Sequence, residues 1–223
     1  YDREYVRPEG YQPQYTMGGG FRGLPAVVKW LLIINFAVYL IVNLIPTIGD
    51  YIYYYGAVFP HNPKAIIQIW RLITYQFLHS GIWHLVFNLM VLYFMGPFLE
   101  RAWGSKAFLK FYLICGAAGG VVYTALVAVG LLSALPMIGA SGAIYGVVAV
   151  VAVLYPRMKV LLYGIIPMTM VWLVILVVIL SFLNIAAGKN VGGELAHLTG
   201  LAVGFLYVKF KPWLTRIRME RNK

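Results

Sequence analysis

Apolar residues in this chain fall into long runs separated by short polar stretches. The runs cover roughly residues 25–45, 80–99, 107–133, 139–155, 160–187 and 194–210. A helix needs about 20 predominantly apolar residues to cross the hydrocarbon layer of a bilayer. The pattern therefore predicts an all-α, polytopic membrane protein built as a bundle of six transmembrane helices.

Three stretches depart from this pattern. Residues 1–23 are rich in Tyr, Gln, Pro and Gly and predict a flexible tail, and residues 212–223 predict a basic tail. Residues 46–79 mix aromatic, proline and polar residues, and Tyr and Trp favour the membrane interface. We expect an interfacial loop with short helices there, inside a six-helix domain that covers residues 24–211.

Composition and charge support the membrane assignment. The chain is 61% hydrophobic and only 11% charged, with a mean hydropathy of +0.79, whereas soluble domains are about a quarter charged. The net charge of +11 would suggest nucleic-acid binding in a soluble protein. Here the basic residues lie between the apolar runs, so we expect no nucleic-acid partner.

The distribution of Lys and Arg predicts the orientation in the membrane. With the N-terminus inside, fifteen of the eighteen basic residues lie on the cytoplasmic side, and only Lys64, Arg71 and Lys189 lie outside. We expect a multi-pass protein of a bacterial or archaeal plasma membrane with both termini in the cytoplasm. Spans 2, 4 and 6 then run inward from the outer face.

Four polar residues stand out because they interrupt these inward-running spans. His84 and Asn88 lie near the start of span 2, Ser141 near the start of span 4 and His197 near the start of span 6. They are therefore expected at a similar depth, and polar side chains inside a membrane are costly and mark function. The residues alone leave open whether His84 or His197 is the base for Ser141.

Glycines predict how two of these spans meet. Gly142 and Gly146 form one G-x-x-x-G pattern, and Gly200 and Gly204 form another. Small residues at this spacing let membrane helices approach closely. Spans 4 and 6 are expected to pack backbone to backbone. This packing would bring Ser141 within reach of His197.

The segments "HSGIWHLVFN", "GASGAIYG" and "AHLTGLAVG" resemble motifs of the rhomboid intramembrane serine proteases. "WR" at residues 70–71 and "LERAWGS" at residues 99–105 match the same family, and the resemblance covers essentially residues 25–210. It implies a six-helix bundle whose Ser–His dyad cleaves transmembrane protein substrates within the lipid bilayer, with no cofactor and no metal. The roles it implies are Ser141 as nucleophile, His197 as general base, and His84, Asn88 and the backbone of Ser141 as oxyanion donors. Tyr145 lies one helical turn after Ser141, so its ring either stacks on His197 and orients it or only packs; we expect the stack, with Gly139, Gly142 and Gly200 as further supporting residues.

It remains to ask whether a carboxylate supports His197. In a Ser-His-Asp triad an acid holds the imidazole and stabilises its charged form, and Glu194 lies one helical turn before His197. Because Glu194 opens span 6 beside Gly192 and Gly193, we expect its carboxylate to be a solvated first-turn charge that favours the helix dipole. The prediction is thus a dyad.

Three other functions fit part of the pattern. A transporter or channel is disfavoured because the polar groups do not continue toward the cytoplasm. An inactive relative that only binds membrane proteins is disfavoured because Ser141 and His197 are both present. A metal hydrolase using His79, His84 and His197 would lack acidic and cysteine ligands and an H-E-x-x-H pattern. The substrate and the oligomeric state are not set by the sequence.

Overall fold

The computed structural model describes residues 20–60, 67–162 and 165–210. The predicted C-terminal tail and residues 1–19 of the predicted N-terminal tail lie outside the described residues, and residues 20–23 form a short 3-10 turn. The other elements are a 3-10 helix (Tyr75–Phe77) and the following helices and strands: α1 (Ala26–Leu44), α2 (Pro46–Gly56), α3 (Arg71–Thr74), α4 (Ile82–Trp103), α5 (Ser105–Ala128), α6 (Ser141–Leu154), β1 (Lys159–Leu162), β2 (Ile166–Thr169), α7 (Met170–Ala186) and α8 (Val191–Phe210).

Four of these helices are long and apolar enough to cross a membrane. They are α1, α4, α5 and α8, with 19, 22, 24 and 20 residues. The helices α6 and α7 are also apolar but shorter, with 14 and 17 residues. The predicted class, a helical membrane protein, is confirmed by these lengths and compositions.

The fifth predicted run is not one continuous helix. Residues Lys159–Leu162 and Ile166–Thr169 pair as antiparallel strands with Lys159 opposite Thr169, and α7 begins only at Met170. Pro167 gives the physical reason, because proline lacks a backbone N–H and clashes inside a helix but is tolerated in an edge strand. The prediction of a single span over 160–187 is therefore wrong in its first third.

The region predicted as an interfacial loop contains the two short helices α2 and α3. Arg71 ties them together: its Nη1 donates to the carbonyl oxygens of Tyr54 (2.7 Å) and Ala57 (2.6 Å), and its Nε donates to Oε1 of Gln68 (2.6 Å). The side chain is buried. Arg71 thus serves structure here and is not a free surface charge.

A second buried charge fixes the start of α1. The carboxylate of Glu100, at the end of α4, accepts from the backbone N–H of Val27 (2.9 Å) and of Val28 (2.7 Å), and from the hydroxyl of Ser105 (2.7 Å). The first amides of a helix have no partner within the helix, and a negative charge is favourable there. Glu100 therefore fastens the N-terminus of α1 to α4.

Helix α6 lies at the centre of the bundle. Eleven of its fourteen residues are buried, so neighbours surround it on nearly every side. Its closest approach is to α8, where a Cβ added at Gly200 would collide with the carbonyl oxygen of Gly142, and one at Gly204 with that of Gly146. This is the backbone-to-backbone packing that the two G-x-x-x-G patterns predict.

Helix α7 lies at the edge of the bundle. Only Met170 and Ser181 are buried along it, while large apolar side chains such as Trp172, Phe182 and Leu183 are exposed. Such a face fits lipid better than water. The one buried polar side chain of α7, Ser181, faces the site described next.

Candidate active site

The nucleophile candidate and the base candidate are in direct contact. Ser141 is the first residue of α6, and His197 lies in the second turn of α8. The Oγ atom of Ser141 is 2.8 Å from Nε2 of His197. The glycine contacts between α6 and α8 bring the two helix starts close enough for this hydrogen bond.

The ring of Tyr145 stacks on the imidazole of His197. The two ring centroids are 4.3 Å apart and the planes are inclined by 21°. Tyr145 lies one helical turn after Ser141, so the same face of α6 supplies the hydroxyl and the ring. The stack limits rotation of the imidazole while leaving both ring nitrogens free to form hydrogen bonds.

His84 faces the same space from the start of α4. The backbone N–H of Ser80 donates to Nδ1 of His84 (3.4 Å), and the Ser80 hydroxyl lies 3.1 Å from the same atom. Because Nδ1 accepts from an N–H, the proton of the neutral ring is on Nε2. A Cβ added at Gly139 would lie 3.0 Å from this Nε2 and 3.6 Å from Oγ of Ser141. The missing side chain of Gly139 therefore keeps open a space that His84 and Ser141 share.

Asn88 is buried one turn further along α4. Its Nδ2 donates to the backbone carbonyl of His84 at 2.8 Å, which uses one of the two amide protons. The structure therefore shows Asn88 bracing the helical turn that carries His84. It does not bring the amide of Asn88 into contact with Ser141.

Glu194 is not the solvated charge that the sequence suggested, and that expectation is wrong. Its carboxylate is buried, and Oε2 lies 3.1 Å from Nδ1 of His197. The Ser181 hydroxyl donates to Oε2 (2.6 Å), and Nδ2 of Asn184 donates to Oε1 (2.8 Å). Helix α8 begins at Val191, so Glu194 already lies on a helical face turned toward α7.

A sequence signal for this network exists. Ser181 and Asn184 are one turn apart in an apolar run whose other residues are almost all aliphatic or aromatic. Unexplained polar residues inside a span need partners, and Glu194 is the nearest acidic residue in the sequence. Sequence reasoning missed the pair because it considered only the spans that run inward.

His79 lies behind His84 and not at the hydroxyl. The two imidazole centroids are 5.0 Å apart in an edge-to-face arrangement. Burial, together with the neighbouring His84, lowers the pKa of His79 to about 4, so this ring is neutral at physiological pH. Within the described residues no three His, Cys, Asp or Glu side chains are grouped so that they could hold a metal ion, which leaves the metal-hydrolase alternative without a ligand set there.

Comparison with known proteins gives one consistent family. The family model described as "Rhomboid domain" matches residues 67–212. Rhomboid protease GluP of Bacillus subtilis is 43% identical over 77 residues, which are 34% of this chain and 14% of that protein. Putative rhomboid protease YdcA of the same species is 34% identical over 141 residues, 61% of this chain and 64% of that protein.

A more distant relative matches over a similar length. Rhomboid protease GlpG of Yersinia pestis is 26% identical over 157 residues, which are 66% of this chain and 50% of that protein. The matched part of this chain spans less than two thirds of the length of each of these three relatives. The family model covers α3 to α8 and thus includes every residue of the site.

Proposed function

Because this chain belongs to the rhomboid family, we propose that it is a serine endopeptidase that cleaves transmembrane segments of membrane proteins. The observation that carries the proposal is the 2.8 Å contact between Oγ of Ser141 and Nε2 of His197. A serine hydroxyl is a weak nucleophile unless an adjacent base takes its proton. The relatives named rhomboid proteases support the same activity.

The proposed reaction has two halves, acylation of Ser141 and hydrolysis of the acyl-enzyme, and His197 transfers one proton in each. Its Nε2 takes the Ser141 proton while Oγ forms a bond to the scissile carbonyl carbon. The proton then passes to the leaving amine as the C–N bond breaks, which leaves an acyl-enzyme. Water attacks that ester and gives a proton to Nε2. As the bond between the acyl carbon and Oγ breaks, Nε2 returns this proton to Oγ, which restores the free hydroxyl and releases the carboxylic acid product.

The negative oxygen of each tetrahedral intermediate needs hydrogen-bond donors. We assign this role to Nε2–H of His84 and to the backbone N–H of Ser141, with Asn88 in support. The tautomer of His84 favours donation, because its Nδ1 already accepts from Ser80. The first amides of α6, which include that of Ser141, have no acceptor within the helix. On this assignment His197 is the base and His84 is not.

The proposed membrane arrangement has all six apolar helices spanning, with the site near the outer face and both termini in the cytoplasm. Helix α6 has 14 residues and is therefore ~21 Å long, which is shorter than the ~30 Å hydrocarbon layer. If its C-terminal end reaches the inner interface, Ser141 lies below the outer surface. That depth suits a nucleophile that acts on transmembrane segments and receives water from outside.

The experiment is cleavage of a single-span reporter by the purified full chain in detergent. Ser141→Ala should abolish cleavage and leave the melting temperature unchanged. Ser133→Ala is the matched control, because the Ser133 side chain is exposed and lies in the segment between α5 and α6, and this variant should cleave normally. Cleavage by Ser141→Ala would end the serine-protease proposal, and clear inhibition by EDTA would favour the metal-hydrolase alternative.

A further inference from the structure

The polar side chains of α7 converge on one residue of α8. Apart from the indole of Trp172, Ser181 and Asn184 are the side chains of α7 with hydrogen-bonding N–H or O–H groups, and both donate to the carboxylate of Glu194. Ser181 is also one of the two buried residues of this helix. The contact between α7 and α8 is thus polar where Ser181 and Asn184 meet Glu194.

The hydrogen bonds of Glu194 determine which ring nitrogen of His197 carries the proton. An ionised carboxylate only accepts, while a serine hydroxyl and an amide NH₂ can donate to it. With Oε1 bound by Asn184 and Oε2 by Ser181, the 3.1 Å contact to His197 requires a proton on Nδ1. The lone pair of that imidazole is then on Nε2, which is the atom that contacts Ser141.

We propose that Glu194 is a positioning residue that completes a Ser141–His197–Glu194 chain, and that α7 holds its carboxylate in place through Ser181 and Asn184. The inference rests on the proposed function, because it assigns the residue that orients its base. The carboxylate fixes the tautomer in which Nε2 accepts the Ser141 proton, and it stabilises the imidazolium that results. The alignment of His197 therefore depends on α7 lying against α8.

The test compares Glu194→Gln, which has the same shape without the charge, with Glu194→Asp, which keeps the charge. Loss of a triad carboxylate lowers kcat by about 10⁴ through the wrong tautomer. We expect Glu194→Gln to lower kcat by at least about 10³ with KM nearly unchanged. Glu194→Asp should recover part of that loss. Ser181→Ala and Asn184→Ala should each lower kcat by about tenfold, because each removes one hydrogen bond to a charged group.

Glu100→Gln is the matched control for a purely structural effect. Glu100 is also a buried carboxylate with three hydrogen bonds, but its partners are at the start of α1 and at Ser105. This variant should lower the melting temperature while leaving the kcat of the folded protein close to that of the wild type. A loss of kcat in Glu194→Gln no larger than in Glu100→Gln would overturn the inference.

A readout independent of cleavage is the ¹⁵N NMR spectrum of the His197 ring in detergent, assigned by comparison with His197→Gln. The wild type should show the proton on Nδ1, and Glu194→Gln should show a mixture of tautomers. An unchanged tautomer in Glu194→Gln also contradicts the inference. Absence of cleavage by the wild type would instead count against the proposed function, and the NMR comparison would still decide whether Glu194 orients the ring.

Discussion

At the scale of single residues, Gly139 gives the site its open space. Its φ of +132° lies in a region that L side chains rarely adopt, and occupying such a region costs roughly 1–3 kcal/mol. A Cβ there would also come within 2.9 Å of the His84 ring, at Cε1. Both effects act on the space between His84 and Ser141, where the carbonyl oxygen of a substrate would lie.

Gly139→Ala should therefore lower kcat/KM for the reporter by at least tenfold, a change expected when His84 is displaced by a few tenths of an ångström. Gly130→Ala is the control, since Gly130 also has a positive φ of 76° but has open space at the Cβ position. Gly130→Ala should lower the free energy of unfolding somewhat and leave cleavage of the reporter unchanged. Normal activity in Gly139→Ala would show that the space is not needed.

The sequence predicts the meeting of Ser141 and His197 because each lies near the start of an apolar run that contains glycines at regular spacing. It does not predict the surroundings of Glu194. The neighbouring Gly192 and Gly193 suggest a loop before Glu194, but both glycines lie within α8. Its other partners, Ser181 and Asn184, come from α7, thirteen and ten residues earlier in the chain. As polar residues in an apolar run they indicate that some partner exists, but the sequence does not identify that partner as Glu194.

At the scale of elements, the contact between α6 and α8 is made by backbone. The atoms that a side chain at Gly200 would meet are the carbonyl group and Cα of Gly142, and the backbone of a buried helix cannot move aside as a flexible side chain can. A larger residue must push the helices apart. That movement would also lengthen the hydrogen bond between Ser141 and His197.

Gly200→Val should thus lower both the melting temperature and the cleavage activity, with a stability loss of about 1–3 kcal/mol from overpacking and an activity loss of at least tenfold. Ala202→Val adds a side chain of similar size to the exposed face of the same helix and should change neither quantity much. Equal melting temperatures for the two variants would contradict the close-packing account.

Helix positions were predictable to within a few residues because the apolar runs are long and bounded by polar or proline residues. The exception is the β-hairpin before α7, because the apolar residues of its strands continue directly into the apolar run of that helix. Hydropathy records only that a segment avoids water and not which backbone conformation it adopts. Pro167 was the available signal, and its position within the run marks where a helix cannot continue.

At the scale of the whole molecule, the outer surface is apolar on several sides. Large side chains such as Trp30 and Phe36 on α1, Trp83 on α4 and Trp172 on α7 are exposed. A soluble monomer rarely presents apolar surface in such continuous areas, so the surface requires lipid around it. The same surface does not distinguish the two membrane orientations, which differ only in the placement of the charges.

The structure relates two charged positions to the site and so makes the orientation testable. Helices α6 and α8 run in the same direction, because Ser141 and His197 meet near their starts while Gly146 and Gly204 meet further along. Lys189, just before α8, is therefore at the end of the molecule that carries the site, and Arg157, just after α6, is at the opposite end. Both residues are exposed. The excess of Lys and Arg on one side predicts that Lys189 is outside and Arg157 inside.

Single-cysteine variants can check this prediction, because Cys115 is the one cysteine of the chain and is buried. On a Cys115→Ala background, Lys189→Cys should react with a membrane-impermeant maleimide in intact cells. Arg157→Cys should react only after the membrane is opened, and the unaltered chain, with its buried thiol, should remain unlabelled in both conditions. The reverse labelling pattern would place Ser141 and His197 near the cytoplasmic face. Hydrolytic water would then have to enter from the cytoplasm, and the positive-inside argument would not hold for this protein.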